Sequence, residues 1–485
     1  MVDYSEIYDT KVPGFYCEID NSLASQGLPG KPSVGLFIGQ KLSGLLEYNK
    51  ISGLISSPSQ VIPLAGEGSE LHRMAEAWFE NNTRNKLYIM AVEQTEGQAA
   101  VYNLAVTAEN AKAGMLNLLI GGRSVKVTIN DEDTAAEIAT AIKDKINANP
   151  MIPATATIAP EKTAEVVLTA KHKGTAGNYI DIRENYYQGE ETAAGVALTV
   201  TQSKQGSGNA DLTDAIAALG DFYATNIVSS YTDAANIRFI KTELTRRFGA
   251  MVNMESVFYY VVKGSLSEML TAVQGVNHQC VCPIMDYKSP NMPEERAARF
   301  SAVAAYYFQM DPARQIANLP LTGDLPAAEE LRKDERDMLL NAGISTLKTD
   351  ASGNTVIERE ATSYRTNVNG AADESYFDLP SVYDLFYLRY SWKNRFSTKF
   401  PRHKLASDGY NVQPGQAIVT PQILTAELCA LADDWEAAGL IEDAAGFKQT
   451  AITERPADDD CRADQLFRPN LMDNLRIIAG KLQFI

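Results

Sequence analysis

The sequence predicts an α/β and α+β multidomain protein. A mainly parallel α/β sheet core carries a β-rich inserted domain, and a C-terminal α+β domain carries terminal strand extensions. Three observations predict it. Short apolar runs alternate with amphipathic helical stretches between residues 210 and 310, the pattern of a parallel sheet covered on both faces. Near Glu93 the composition turns rich in Thr, Ala, Val and Gly, and it turns back after Gln205-Gly206-Ser207-Gly208-Asn209. Strand-prone material also lies beyond compact segments at both ends of the chain.

Residues 1–30 read as an N-terminal arm. Pro13, Gly14, Gly27, Pro29 and Gly30 surround one alternating piece, Phe15-Tyr16-Cys17-Glu18-Ile19-Asp20, a strand with no local partner. Its N–H and C=O groups must pair somewhere. Residues 31–95 with 208–380 form the α/β core. Its first part reads strand, strand, helix, strand, with Val34–Ile38 apolar and Leu87–Val92 of buried type. Ser69 caps a helix through Leu71, Met74, Ala75, Trp78 and Phe79. Residues 96–207 form a surface-exposed inserted α+β domain. Its strands are expected at 104–108, 123–129, 154–158, 166–170, 179–183 and 197–202, with a helix at 134–147.

The core resumes with helices at 211–219, 234–248, 265–273 and 294–309. Strands at 226–230, 257–262 and 280–285 alternate with them. Residues 329–367 read as a charged helix with an apolar stripe of Leu331, Met338, Leu339 and Leu340, stopped at Asn341-Ala342-Gly343. Two extended segments follow, 344–348 and 355–357, around a turn-rich Asp350–Asn354. The 381–485 domain is expected to hold helices at 381–397 and 421–438, a strand-like stretch at 446–453, and a tail. Ile478, Leu482 and Phe484 make that tail apolar and strand-prone, where free termini are usually polar. It suits an edge strand within its own domain or a strand added to a neighbouring subunit.

With 485 residues the chain has room for two to four domains, each with its own core. A net charge of −17 disfavours general binding to nucleic acid, whose phosphates want Lys and Arg. No apolar run approaches the ~20 residues that span a bilayer. The N-terminus has acidic and polar residues where a signal peptide needs basic then apolar ones, so use without secretion is expected.

The chemistry-bearing residues do not assemble into a site. An α/β enzyme with a small-molecule site remains an alternative of another class, so the loops after the strands matter most. The turn after Val228, Ser229-Ser230-Tyr231-Thr232-Asp233, lacks the glycines of a dinucleotide loop. Gly66-Glu67-Gly68 has two of three, with a Glu where phosphate would sit. Ser69 and His72 could suggest a nucleophile and base, without an orienting carboxylate. Cys280 and Cys282 on one strand make a poor tetrahedral pair, and Asp458-Asp459-Asp460 with Asp464 lacks the spacing of a calcium loop. No catalytic residue, cofactor or metal is expected.

One charge anomaly remains. Arg389, Lys393, Arg395, Lys399, Arg402, His403 and Lys404 interleave with Tyr390, Trp392, Phe396 and Phe400. The stripe suits nucleic acid, pairing within the chain, or docking of an acidic protein surface.

Several ordered motifs carry a resemblance. Asn318-Leu319-Pro320-Leu321-Thr322-Gly323, Asn341-Ala342-Gly343-Ile344-Ser345-Thr346 and Ile357-Glu358-Arg359 come first. Tyr387-Leu388-Arg389-Tyr390, Pro401-Arg402-His403-Lys404-Leu405 and Gly415-Gln416-Ala417-Ile418-Val419-Thr420-Pro421 follow. Together they resemble the contractile tail sheath proteins of bacteriophages, of the Mu type, most densely over 315–445.

The resemblance implies a helical homo-oligomer around a tail tube that contracts to drive the tube through the host envelope. It also implies the tail tube protein, baseplate and tail terminator proteins as partners, with no cofactor, nucleic acid or membrane insertion. The protein would be assembled in the host cytoplasm and belong to the virion tail. The sheath of a phage-derived injection or bacteriocin particle would share these features. Arg389, Lys393, Arg395, Lys399, Arg402 and Lys404 become tube-contact candidates. Phe15, Cys17, Ile19, Ile478, Leu482 and Phe484 become inter-subunit strand candidates. Head-to-tail contacts through two such ends build an open helix of subunits.

Overall fold

The computed structural model describes residues 28–94, 96–413 and 415–484. Phe15, Cys17 and Ile19 lie outside them. Contacts divide the described chain into two compact units. One is Pro32–Tyr387 with residues 473–484, the other Leu388–Met472 with residues 28–31.

The larger unit begins with β1 (Val34–Gly39), every residue of it buried. A short helix α1 (Ile62–Ala65), α2 (Glu70–Phe79) and β2 (Lys86–Ala91) follow. The Ser69 side chain accepts the His72 N–H and starts α2, as the capping pattern predicts. The second of the four elements expected here does not form a strand. Residues 48–55 instead make isolated bridges, Tyr48 to Ala91, Ile51 to Met90 and Ile55 to Leu87, along the outer side of β2.

The chain then leaves for β3 (Val101–Ala108), β4 (Gly114–Ile120), β5 (Arg123–Ile129), α3 (Ala135–Asn147), β6 (Ala154–Ala159), β7 (Lys162–Ala170), β8 (Ile182–Glu184) and β9 (Val196–Lys204). These form a four-stranded sheet, β6-β7-β3-β9, and a three-stranded one, β5-β4-β8. Ile138, Ile142 and Ile146 of α3 join Leu104, Leu116, Val127 and Leu168 in a hydrophobic core of this region's own. β4 is absent from the sequence expectation, and Thr175–Tyr179 is a 3-10 turn, so the strand expected at 179–183 starts only at Ile182.

The core resumes with α4 (Thr213–Ala218), β10 (Asn226–Ser229), α5 (Ala234–Phe248), β11 (Val257–Lys263), α6 (Leu266–Ala272), β12 (Val281–Asp286) and α7 (Pro293–Met310). The five strands order as β12-β11-β10-β1-β2 and every neighbouring pair is parallel. α7 packs on β10 and β11 and also on α2. α8 (Lys333–Asn341) ends where Gly343 takes φ 78°, and a Cβ there would lie 2.7 Å from the Thr362 carbonyl oxygen. The antiparallel pair β13 (Thr346–Thr349) and β14 (Thr355–Arg359) follows. Ser345 and Ser363 cover the outer side of β12, through Met285 N to Ser345 O at 3.0 Å, Ser345 N to Pro283 O at 2.8 Å and Ser363 N to Val281 O at 2.8 Å.

The smaller unit holds the last turns of α9 (Leu379–Lys399), then β15 (Lys404–Leu405), β16 (Ile418–Val419), α10 (Pro421–Ala437), β17 (Ile441–Glu442), α11 (Ala444–Thr450), β18 (Ile452–Glu454), β19 (Asp464–Leu466) and β20 (Asn470–Leu471). The strand-like reading of 446–453 is corrected. Asp443 accepts the Gly446 N–H and starts a helix there, and the strand begins only at Ile452. Strands here pair two by two: β15 with β16, β17 with β20, β18 with β19. Trp435 is buried against Phe447 and Phe467, and its Nε1 donates to the Ser391 hydroxyl at 2.9 Å.

Candidate assembly interface

The carboxyl end of a parallel sheet is where such folds hold ligands, at the point where strand order reverses. Here that point lies between β1 and β10, and the chain's own side chains fill it. The Glu70 carboxylate accepts the Gln40 N–H at 2.7 Å and the Ser230 hydroxyl, beside Tyr231 at 3.4 Å. Burial pushes the Glu70 carboxyl up to about 7, and the charge of Glu294 adds to this.

The inserted region closes over the same end. His172 Nε2 accepts the Glu70 N–H at 3.0 Å, and Gln40 donates to the Lys173 carbonyl at 2.9 Å. Gly68, at φ 70°, comes so near that a Cβ would fall 1.7 Å from the Pro150 carbonyl oxygen. Burial holds His172 neutral, its imidazole pushed down to about 3. Arg123 reaches Glu76 at 2.8 Å and Glu295 at 3.1 Å. Arg73 pairs with Glu294 at 2.7 Å and Glu295 at 3.0 Å, and Arg296 with Asp324 at 2.7 Å and Asp286 at 3.0 Å. Beside them a cleft passes Tyr179, Lys263, Ser265 and Glu268. Its polar groups are engaged: Lys263 bonds the carbonyls of Ser289 and Asn291, and Ser265 and Glu268 cap each other. The arrangement ties the insert to the core.

The other chemical candidates have local roles. The Ser69 hydroxyl accepts from the His72 backbone, while His72 Nδ1 accepts the Gly68 N–H at 3.0 Å, so the imidazole does not address the hydroxyl. Cys280 and Cys282 are buried, and burial pushes the Cys282 thiol up to about 12. Among the described residues no group of three or more His, Cys, Asp or Glu side chains could hold a metal ion. No helix among them is long and apolar enough to cross a membrane.

The basic stretch is divided by its partners. Arg395 bonds Glu427 at 2.5 Å and Asp434 at 3.0 Å, and Lys399 also bonds Glu427. Burial opposes the Glu427 charge, but Lys399 and Arg395 win and hold its carboxyl below the usual range. The Trp392, Phe396 and Phe400 rings follow one another along the end of α9 and just past it, tilted by 42° and 43°, with His403 edge-on to Phe400. Arg389 is half-buried; Lys393, Arg402 and Lys404 are exposed. The sequence reading did not find Glu427 and Asp434, which lie about two turns apart on α10, far along the chain from the cations they meet.

Near the end of the chain, Asn474 and Arg476 are held to the larger unit, and residues 477–484 after them are exposed. Ile478, Leu482 and Phe484 are 83%, 89% and 92% exposed. No hydrogen bond joins residues 477–484 to other described residues. In the smaller unit the β18–β19 pair presents Ile452 opposite Leu466, both about half exposed.

Comparison with known proteins gives the family. Residues 205–363 match the phage tail sheath protein central domain, and residues 371–485 the phage tail sheath C-terminal domain. The Mu-like prophage FluMu tail sheath protein of Haemophilus influenzae is 34% identical over 478 residues, 98% of this chain and 97% of that protein. In fold the chain is similar to the sheath of an extracellular contractile injection system, PVC, in its contracted state, with TM-score 0.51 at 11% identity over 98% of each chain. It is also similar to a chain of the contracted baseplate of the anti-feeding prophage, with TM-score 0.50 at 10% identity over 98% of this chain and 99% of that one. With matching domain families and near full-length identity to a Mu-like relative, this chain belongs to the phage tail sheath proteins.

Proposed function

We propose that this sheath protein polymerises helically around a tail tube and contracts to drive the tube through the host envelope, and that its copies are stitched by strand donation. The observation that carries the reading is the bare apolar arm at 477–484. Its exposed Ile478, Leu482 and Phe484 are the side chains that a sheet would cover. The short β18–β19 pair, with Ile452 and Leu466 half exposed, is the acceptor we assign in a second copy. Phe15, Cys17 and Ile19, outside the described residues, are the candidates for a matching contact from the other end of the chain. The role is structural and needs no cofactor, because the free energy of contraction is stored when subunits assemble.

Within the basic stretch, exposed Lys393, Arg402 and Lys404 face the tube together with Arg389. Arg395 and Lys399 shape that face through Glu427. The tube protein, the baseplate and the tail terminator are the partners, in a particle assembled in the host cytoplasm; nucleic acid and membrane are not. The identity to a prophage tail sheath protein favours a phage tail over an injection or bacteriocin particle. Deleting 477–485 tests the reading. Soluble subunits with unchanged thermal unfolding and no tubes in electron micrographs are expected, whereas normal sheaths from that variant would end it.

A further inference from the structure

The C-terminal arm does not hang loosely from the body; its root is built in. Asn474 Oδ1 accepts the Gln315 N–H at 2.8 Å, and its Nδ2 donates to the Ala313 carbonyl at 3.0 Å. Gln315 Nε2 in turn donates to the Leu475 carbonyl at 3.0 Å. Arg476 Nη1 donates to Gln315 Oε1 at 2.8 Å, and its Nη2 to Glu360 Oε1 at 2.7 Å and Asp378 Oδ1 at 3.1 Å. Glu360 is fully buried and the Arg476 side chain is 13% exposed. Two residues on, the chain is in open solvent.

Such a contrast within a few residues is not ordinary fraying, which fades gradually toward a terminus. The anchoring cation is also costly to withdraw. Asp378 has a second partner in Arg359, at 3.1 Å, but Glu360 would be left as a buried carboxylate without its guanidinium. Burial pushes the Glu360 carboxyl up, and Arg476 pulls it back.

We propose that Asn474 and Arg476 are positioning residues that clasp the root of the C-terminal arm and fix Ile477 as the point from which it departs. Resting on the strand-donation reading, the clasp sets the arm's reach. The eight residues 477–484 span at most about 27 Å when extended. Releasing 473–476 would add about 14 Å. A longer, looser tether would admit a range of neighbour spacings where the clasped arm admits one.

Limited trypsin digestion of the full chain tests the clasp without reference to assembly. Lys481 lies in the bare arm and Arg476 in the clasp, so the bond after Lys481 is cut fast and the bond after Arg476 slowly. In Glu360→Gln with Asn474→Ala, cutting after Arg476 rises at least about tenfold relative to Lys481. Asn474→Ala alone, which leaves the buried charge pair intact, gives a smaller rise in the same direction. Equal cutting after both residues in the wild-type chain would overturn the clasp. Electron micrographs of the same variants then read the positioning role: tubes of irregular pitch are expected. Wild-type regularity with the clasp demonstrably open would overturn that role while leaving strand donation standing. Normal tubes from the 477–485 deletion would instead remove strand donation and leave the digestion result intact.

Discussion

The five-stranded parallel sheet and the paired strands of the C-terminal unit treat their edges in opposite ways. Along β2 the chain returns at residues 48–55 to bridge the outer backbone, and along β12 Ser345 and Ser363 do the same. Neither edge is left for another chain. β15–β16, β17–β20 and β18–β19 are ladders of two or three residues, too short to be stable sheets alone, and β18–β19 shows apolar side chains to solvent. The difference separates two jobs. The described edges of the core are met by its own backbone, and under the strand-donation proposal the short ladders are the ones that gain by adding a strand.

Charge follows the same division, and the largest effect is expected where it is buried. Arg73 is 2% exposed between Glu294 and Glu295. Arg73→Met leaves the buried Glu294 without its guanidinium, while Glu295 keeps Arg123, and should cost about 3–5 kcal/mol, read as a lower urea midpoint for the free subunit. Lys399, half exposed on Glu427, is the counterpart in the C-terminal unit, and Lys399→Met should cost under about 1 kcal/mol. Equal losses would erase the contrast.

The next effect is a pH dependence at Glu70. Folding raises its carboxyl from the ordinary 4.5 to about 7, so the folded chain keeps a proton that the unfolded chain has lost. Stability from this group is therefore fully present below pH 4.5, falls as pH rises toward 7, and is level above. His172, lowered to about 3, tilts the curve the other way below 6.5, so a variant must isolate the term. Glu70→Gln should gain on the wild type between pH 5 and 8 by on the order of 2 kcal/mol, seen as converging or crossing melting curves. Parallel curves would mean that Glu70 is charged throughout.

Much of this fold was legible. α5 at 234–248 falls where its apolar positions put it, and β1, β11 and β12 are continuous apolar runs within a residue or two of their observed bounds. The Ser69 cap was readable from residue type alone. β4 was missed because Gly114-Met115-Leu116-Asn117-Leu118-Leu119-Ile120 lacks clean alternation, although the Gly121-Gly122 pair after it is a hairpin signal. The buried network was hidden for a different reason. Glu294, Glu295, Arg296 and Arg299 look like the solvated face of a helix, and only packing against α2 and the insert encloses them. The bare arm was visible as an apolar terminus, but its clasp was not, since Glu360 and Gln315 lie more than a hundred residues from Arg476.

The smallest stability effect carries the sharpest test of the comparison. Ile452 pairs with Leu466 across β18–β19 and is already 50% exposed, so a charged side chain there buries little that was dry. Ile452→Lys should therefore move free-subunit stability by no more than about 0.5 kcal/mol. The same change on a donated sheet would put an ammonium where the arm's Ile478 or Leu482 is to pack, and edge lysines oppose strand addition in natural sheets. Unaltered melting together with loss of tubes is expected. Ile284, inside β12 and fully buried, supplies the control: Ile284→Lys should unfold the subunit before assembly can be asked about. If Ile452→Lys leaves tubes intact, β18–β19 is not the acceptor that the strand-donation proposal assigns.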